Sequence, residues 1–208
     1  MILALRHAST DFNAGGAERV RGQLNIPLNA EGQQEASEAA DRLKTFQDSG
    51  TSIRRILSCD LDRARQTADP VSQALGLPVY YSAALRTWNL GDLQGQPVEE
   101  AGPEIAALVQ RMDEPPANGE SYREFLARFL TFVAPFFHGQ PDDVTLVITH
   151  GQNIRALRAW IGAGAKGLTV DTDEAANAEE GVEHAGLALA QPPDTFEIID
   201  PKPSQGLS

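Results

Sequence analysis

Met1-Ile-Leu-Ala-Leu-Arg6-His7 and Val144-Thr-Leu-Val-Ile-Thr149-His150-Gly151 are the stretches whose reading decides the fold. Each is a short apolar run with no polar alternation, the pattern of a strand buried on both faces. Each ends on a histidine just past the strand's C-terminal end, where open α/β sheets place their chemistry. If the two strands are neighbours, two imidazoles and the Arg6 guanidinium converge on one spot. That set suits a dianionic phosphate and offers it a nucleophile.

Outward from these runs, strand and helix patterns alternate. Residues 1–6 read as a strand and 11–29 as a polar loop. Asn29 is an N-cap for a helix over 30–47, with apolar positions Ala36, Ala39, Ala40, Leu43 and Phe46. Ile53–Ser58 is a second strand, followed by a helix over 61–76 that Pro70 should kink and Gly76 should end. Pro78–Ser82 reads as a third strand. Residues 86–119 are punctuated by Gly and Pro around a short helix near 101–112, and 86–123 reads as a cap or substrate region. A helix over 120–137 buries Tyr122, Phe125, Leu126, Phe129, Leu130 and Val133. Another begins at Asn153–Ile161. Residues 162–183 offer little to bury and read as a mobile excursion. Gly186–Gln191 and Thr195–Asp200 read as an antiparallel hairpin at the sheet edge. The expectation is a single α/β domain over 1–208, three layers deep, with a mostly parallel sheet and an antiparallel edge strand near the C-terminus.

Composition narrows the partners. With 17 basic against 29 acidic residues the net charge is −12, which argues against nucleic acid and against an anionic membrane surface. The lone Cys59 excludes an internal disulfide and a cysteine-based zinc site. No run approaches the roughly 20 apolar residues of a membrane span. The opening apolar run is too short for a signal-peptide core. A soluble, cytoplasmic protein is expected.

Four blocks carry chemistry: Leu5-Arg6-His7-Ala8-Ser9-Thr10 with Asn13; Arg21-Gly22-Gln23; Ser58-Cys-Asp-Leu-Asp-Arg63-Ala-Arg-Gln-Thr67-Ala68; and Ile148-Thr-His150-Gly151. In order and spacing, from residue 1 to about residue 160, the chain resembles the histidine phosphatase superfamily, the phosphoglycerate mutase-like proteins, in its phosphatase-type branch. The resemblance implies that fold, and it implies that His7 receives the phosphoryl group as phosphohistidine. Arg6 and Arg63 would bind phosphate oxygens with their forked donors, Arg63 from the first turn of its helix. His150 would form a further wall, donating to a phosphate oxygen. Asn13, Arg21, Gly22 and Gly151 are further contacts carried over from the family.

The chain departs from that pattern at a chemically important place. After the third strand the family has Leu-x-Glu, whose Glu protonates the leaving oxygen. Here Leu85-Arg86-Thr87 puts Thr87 at that position, and a hydroxyl is no acid near neutral pH. Asp92, in the same loop, is the leading replacement, with Glu99, Glu120 and Asp60 as others. Slow turnover restricted to good leaving groups is the remaining way out. Ala8 stands where relatives have Gly, which is tolerable if φ is negative. Gly151 stands where the acid-phosphatase and phytase branch has Asp, so that branch is not the one resembled.

The expected reaction is therefore metal-independent hydrolysis of a small phosphorylated organic substrate, without a cofactor. The alternatives are mutase-type phosphoryl transfer and a non-catalytic phosphate-binding module. A metal held by His7 and His150 fits poorly, since two cations and no carboxylate cluster accompany them. The pocket walls should come from 11–23 and 86–123, whose basic members include Arg19, Arg21, Arg86, Arg111 and Arg123. Arg65 reads as a solvent ion pair, and His138 and His184 as surface residues. Cys59, Trp88 and Trp160 read as packing residues. The C-terminal edge hairpin could pair two copies into a homodimer.

Overall fold

The computed structural model describes residues 1–13, 18–139, 143–176 and 182–200, with the side chains of Asn13, Glu174, Ala176 and Asp200 left aside. The two deciding runs form β1 (Ile2–Arg6) and, later, a strand at Val144–Thr149, and they pair directly and in parallel. After β1 the chain reaches α1 (Ala30–Asp48), β2 (Ile53–Cys59), α2 (Asp62–Leu75) and β3 (Val79–Ser82). It continues through α3 (Val98–Gln110), α4 (Tyr122–Phe137), β4 (Val144–Thr149) and α5 (Gly151–Gly162). The short α6 (Thr172–Ala176) precedes β5 (Leu187–Gln191) and β6 (Thr195–Asp200). Strand order is β3-β2-β4-β1-β5-β6, parallel except where β5 pairs antiparallel with β1 and β6 with β5.

β4 is buried along its whole length and β1 at every residue but Arg6, because each has a strand on both sides and helices over its faces. α1 packs on α2 and α4 on α5, giving the expected three-layer sandwich. Local chemistry sets the helix ends. The Asn29 side chain accepts from Gly32 N at 2.8 Å, and Gly76 closes α2 in the left-handed conformation with φ 67°. Ser121 and Glu124 form a reciprocal capping box on α4. Pro70 lies within α2 without ending it.

Some boundaries differ from expectation. The short helix predicted near 101–112 begins at Val98, and α5 begins at Gly151 with His150 as its N-terminal flanking residue. The segment expected to be a mobile excursion buries more than its composition promised. Ala165, Ala175 and Val182 are buried and α6 packs against α3 and α5, small residues sufficing where the helices approach closely. The part of that segment at 177–181 lies outside the described residues. Arg65 is corrected too. Its guanidinium stacks over the Tyr81 ring, with its centre 4.0 Å from the ring centroid, and Nε donates to the Asp60 carbonyl.

Candidate active site

Parallel pairing puts Arg6 opposite Thr149, so the chain steps off the sheet at His7 and at His150 side by side. His7 N donates to the Thr149 carbonyl at 2.8 Å, continuing the ladder one residue past the strand. The imidazole centroids are 5.1 Å apart. Both rings open onto a cavity of about 640 Å³ whose lining includes Arg6, Arg21, Gly22, Arg63 and Gly151. The backbone around His7 is clamped. Ala8 N donates to Thr67 Oγ1 at 3.1 Å, and Ser9 N donates to the buried Glu35 carboxylate at 2.8 Å. Gly32 allows this: a Cβ there would lie 2.0 Å from the Ser9 carbonyl oxygen. Ala8 is absent from the positive-φ residues, so it bears no strain where relatives have Gly.

Partners fix both tautomers. His7 Nδ1 lies 2.8 Å from the Ala8 carbonyl, which can only accept, so Nδ1 carries the proton and Nε2 holds a lone pair. Arg63 Nε donates to His150 Nδ1 at 3.3 Å, so His150 carries its proton on Nε2. Burial holds both imidazoles well below the ordinary histidine range, helped by Arg63 and by the other cations around them. Both rings are therefore neutral at neutral pH. One is a nucleophile and the other a hydrogen-bond donor.

The cations around them are short of acceptors. His150 Nε2, Arg6 Nε and Arg21 Nη1 are buried without a hydrogen-bond partner. All three belong to residues that line the cavity. Burial is the main cause lowering Arg6 to about 9 and Arg21 to about 10, with neighbouring guanidinium groups adding to it. Each remains charged at neutral pH. Buried unpartnered donors, with guanidinium groups that Glu18 and Glu183 offset only in part, surround one lone pair and form a receptor for a tetrahedral oxyanion. The N-terminus of α5, through Gly151 and Gln152, adds its dipole to the same wall.

Arg63 stands in the first turn of α2 and lines the cavity, but its donors are already engaged. It is fully buried, and Nη1 and Nη2 donate to the Leu24 and Gly22 carbonyls, both at 2.7 Å. With Nε on His150, three of its donors go to holding the Arg21-Gly22 loop and orienting an imidazole, and the expected free fork is largely committed. Gly22 is needed here: its φ is +47° and a Cβ would lie 2.1 Å from Gln94 Oε1. Asn13 lies in a short 3-10 turn, and its side chain falls outside the described residues.

Thr87 is buried on the cavity wall, at the position where the family has its acid. Asp92, expected to replace that acid, is corrected. Its carboxylate is exposed, accepts from Asn118 Nδ2 at 3.0 and 3.1 Å, and does not line the cavity, because the turn after Leu90 points it outward. Glu120 is held by Arg128 and by Asn89 N, and Asp60 is paired with Arg86. Glu99 is exposed and off the lining. Of the basic wall residues expected, Arg19 and Arg21 line the cavity. Arg86, Arg111 and Arg123 pair with Asp60, with Glu104 and Glu114, and with Asp113 instead.

Sequence reasoning missed one cavity cation and misplaced one histidine. Arg155 lies one turn beyond Gly151 on α5, so helical spacing from the strand-end glycine could have found it. Gln152 lies beside it, accepting from Arg155 Nη2 at 2.7 Å. His184, expected on the surface, is half-buried and lines the cavity, with its centroid 5.9 Å from that of His7. It arrives on the segment leading into β5, and no local pattern foretold that. Among the described residues no group of three or more His, Cys, Asp or Glu side chains is arranged to hold a metal ion. Among them, too, no helix is long and apolar enough to cross a membrane.

Comparison with known proteins agrees with this geometry. A model of the histidine phosphatase superfamily (branch 1) matches residues 2–177. The chain is 34% identical over 163 residues to phosphoglycerate mutase-like protein 4 of Arabidopsis thaliana, over 75% of this chain and 68% of that one. It is 29% identical over 163 residues to PhoE, an uncharacterized phosphatase of Bacillus subtilis, over 78% of each chain. A solved mycobacterial glucosyl-3-phosphoglycerate phosphatase in complex with VO3 superposes with a TM-score of 0.72 at 30% identity, over 90% of both chains.

Proposed function

The chain belongs to branch 1 of the histidine phosphatase superfamily, and from that premise we propose that it is a metal-independent phosphomonoesterase acting through phosphohistidine on a small phosphorylated organic substrate. One observation carries the proposal: the Nε2 lone pair of His7 shares its cavity with the unpartnered buried donors His150 Nε2, Arg6 Nε and Arg21 Nη1. In the first half-reaction His7 Nε2 bonds to phosphorus as the bond to the leaving oxygen breaks, and that oxygen takes up a proton. In the second, water attacks phosphorus, the N–P bond breaks and phosphate leaves, with a proton released. His150 and the arginines neutralise the equatorial oxygens in both steps.

With Thr87 the family's acid position carries no carboxyl group, so the proposal includes a strong dependence on the leaving group. p-Nitrophenyl phosphate, whose leaving oxygen needs little protonation, should be hydrolysed much faster than an alkyl phosphate. The test is turnover of p-nitrophenyl phosphate with and without EDTA, with trapping of an acid-labile, alkali-stable phosphoryl group on His7. His7→Ala should abolish both. Loss of activity in EDTA would sink metal independence, and phosphate binding without turnover of this activated ester would leave a binding module. A second reading, mutase-type transfer, is favoured by the likeness to the Arabidopsis phosphoglycerate mutase-like protein. It predicts return of the phosphoryl group to a second hydroxyl, visible by phosphorus NMR. A cytoplasmic setting, without nucleic-acid or membrane partners, completes the proposal.

A further inference from the structure

His184 is the one histidine of the cavity that the proposed chemistry does not use. It lies in the turn immediately before β5 and meets Arg6 from the side opposite the sheet neighbour β4. Arg6 Nη1 donates to the Val182 carbonyl at 2.7 Å, and Arg6 Nη2 meets His184 Nε2 at 2.7 Å. Both partners belong to one short segment, so the guanidinium is held at both terminal nitrogens. Its Nε is left buried and without a partner, in the cavity that His7 and His150 also line.

The segment can bear this load because it is itself anchored. Arg6 N donates to the Gly186 carbonyl at 3.1 Å, Arg42 Nη2 to the Ala185 carbonyl at 2.6 Å, and Val182 is buried. Chemistry then fixes the state of the ring. A guanidinium has only donors, so His184 must offer a lone pair at Nε2, and its ring in this contact is neutral. A protonated ring would have two donors and no acceptor, and would set a like charge against Arg6.

We propose that His184 is a positioning residue for phosphate binding: its neutral imidazole, with the Val182 carbonyl, aims Arg6 at the phosphate held against His7. The inference rests on the reading of the cavity as a phosphate site. Among the described residues, the charged and titratable groups that face His184 are Arg6 at the end of β1, His7 beyond it, Glu183 in the same turn, and Arg42 from α1 one residue along. Acidification removes the acceptor, frees the Arg6 terminal nitrogen and weakens phosphate binding beyond what the substrate's own ionisation explains.

The test compares wild type, His184→Ala and His184→Gln in two measurements, inorganic phosphate binding by calorimetry and p-nitrophenyl phosphate kinetics across about pH 5 to 8. His184→Ala should weaken phosphate binding and lower kcat/KM by about ten- to a hundredfold. A glutamine amide oxygen reaches about as far as Nε2 and accepts from Arg6 without titrating. His184→Gln should therefore recover to within about threefold of wild type, with a flatter fall on the acid side. The inference is overturned if His184→Ala binds phosphate as wild type does. It is equally overturned if His184→Gln, with a wild-type thermal midpoint, is no better than His184→Ala or keeps the wild-type acid dependence. Should His184→Ala not fold, the pH profile of His184→Gln decides. Wild type that binds no phosphate sinks the functional proposal and this inference with it. Equal phosphate binding with and without His184 sinks this inference alone.

Discussion

Replacing Arg21 with methionine should stabilise this protein in phosphate-free buffer and weaken it as a phosphate receptor. Arg21 is a half-buried cation with Nη1 unpartnered, set among Arg6, Arg63 and Arg155. Burial, followed by repulsion from Arg63, lowers its guanidinium from the ordinary arginine range to about 10, and Glu18 offsets only part of this. The folded value lies below the unfolded one, so the charged form is what folding disfavours. At neutral pH, below both values, the full cost is present. That gap corresponds to about 3 kcal/mol. Halved for the partial exposure of the side chain, it leaves about 1.5 kcal/mol. Methionine keeps the aliphatic stem and drops the charge. The expected gain in thermal midpoint is about 3–6 °C. Phosphate should close this gap. At a hundredfold excess over Kd it stabilises wild type by about 2.7 kcal/mol. A variant binding ten- to a hundredfold more weakly gains only about 0.4–1.4 kcal/mol at the same concentration. Urea unfolding with and without phosphate measures both terms. A variant less stable than wild type in phosphate-free buffer, at unchanged m-value, would refute the reasoning, as would equal stabilisation of the two proteins by phosphate.

Two further outcomes follow from the same structure. Because His7 and His150 are held well below the ordinary histidine value of 6.5, the unfolded chain takes up protons first on acidification. Stability should fall below pH 6.5 by up to about 1.4 kcal/mol per pH unit for each ring, with the slope about halved in His150→Gln by urea titration; a flat profile would contradict the burial of neutral imidazoles. Glu120→Ala should destabilise by about 2–3 kcal/mol. That carboxylate accepts from Asn89 N at 2.9 Å and from Arg128, whose Nη1 and Nη2 also donate to the Arg86 and Thr87 carbonyls, so the loss loosens the Thr87 wall. Trp88 Nε1 donates to the Glu120 backbone carbonyl, so tryptophan fluorescence reports the change, and a cost under about 0.5 kcal/mol would refute the bracing role.

The parts of the site that could be read in the sequence are those whose geometry is local. Arg6-His7 and Thr149-His150-Gly151 follow apolar runs, and a run buried on both faces fixes where its C-terminal end must stand. Asn29, Gly76 and the apolar face of α4 were readable for the same reason, since caps and helical spacing act within a few residues. The proton donor was not readable. A loop carboxylate such as Asp92 turns toward or away from a site according to the backbone of its turn, and here it faces Asn118. Arg63 shows a finer limit. Its presence in the site was predictable, but which of its donors remain for phosphate depended on where the Gly22 and Leu24 carbonyls came to rest.

Taken alone, the sequence determined an α/β chain with a histidine just past the end of each of two buried strands, because apolar runs and short-range spacing encode strand ends. The strand order brought those ends together: β1 and β4 are far apart in the chain yet share one ladder, and no local pattern records a pairing that hydrophobic burial alone selects. Tertiary structure alone also brought His184 onto Arg6, since the antiparallel return of β5 beside β1 puts the turn before it against the Arg6 side chain.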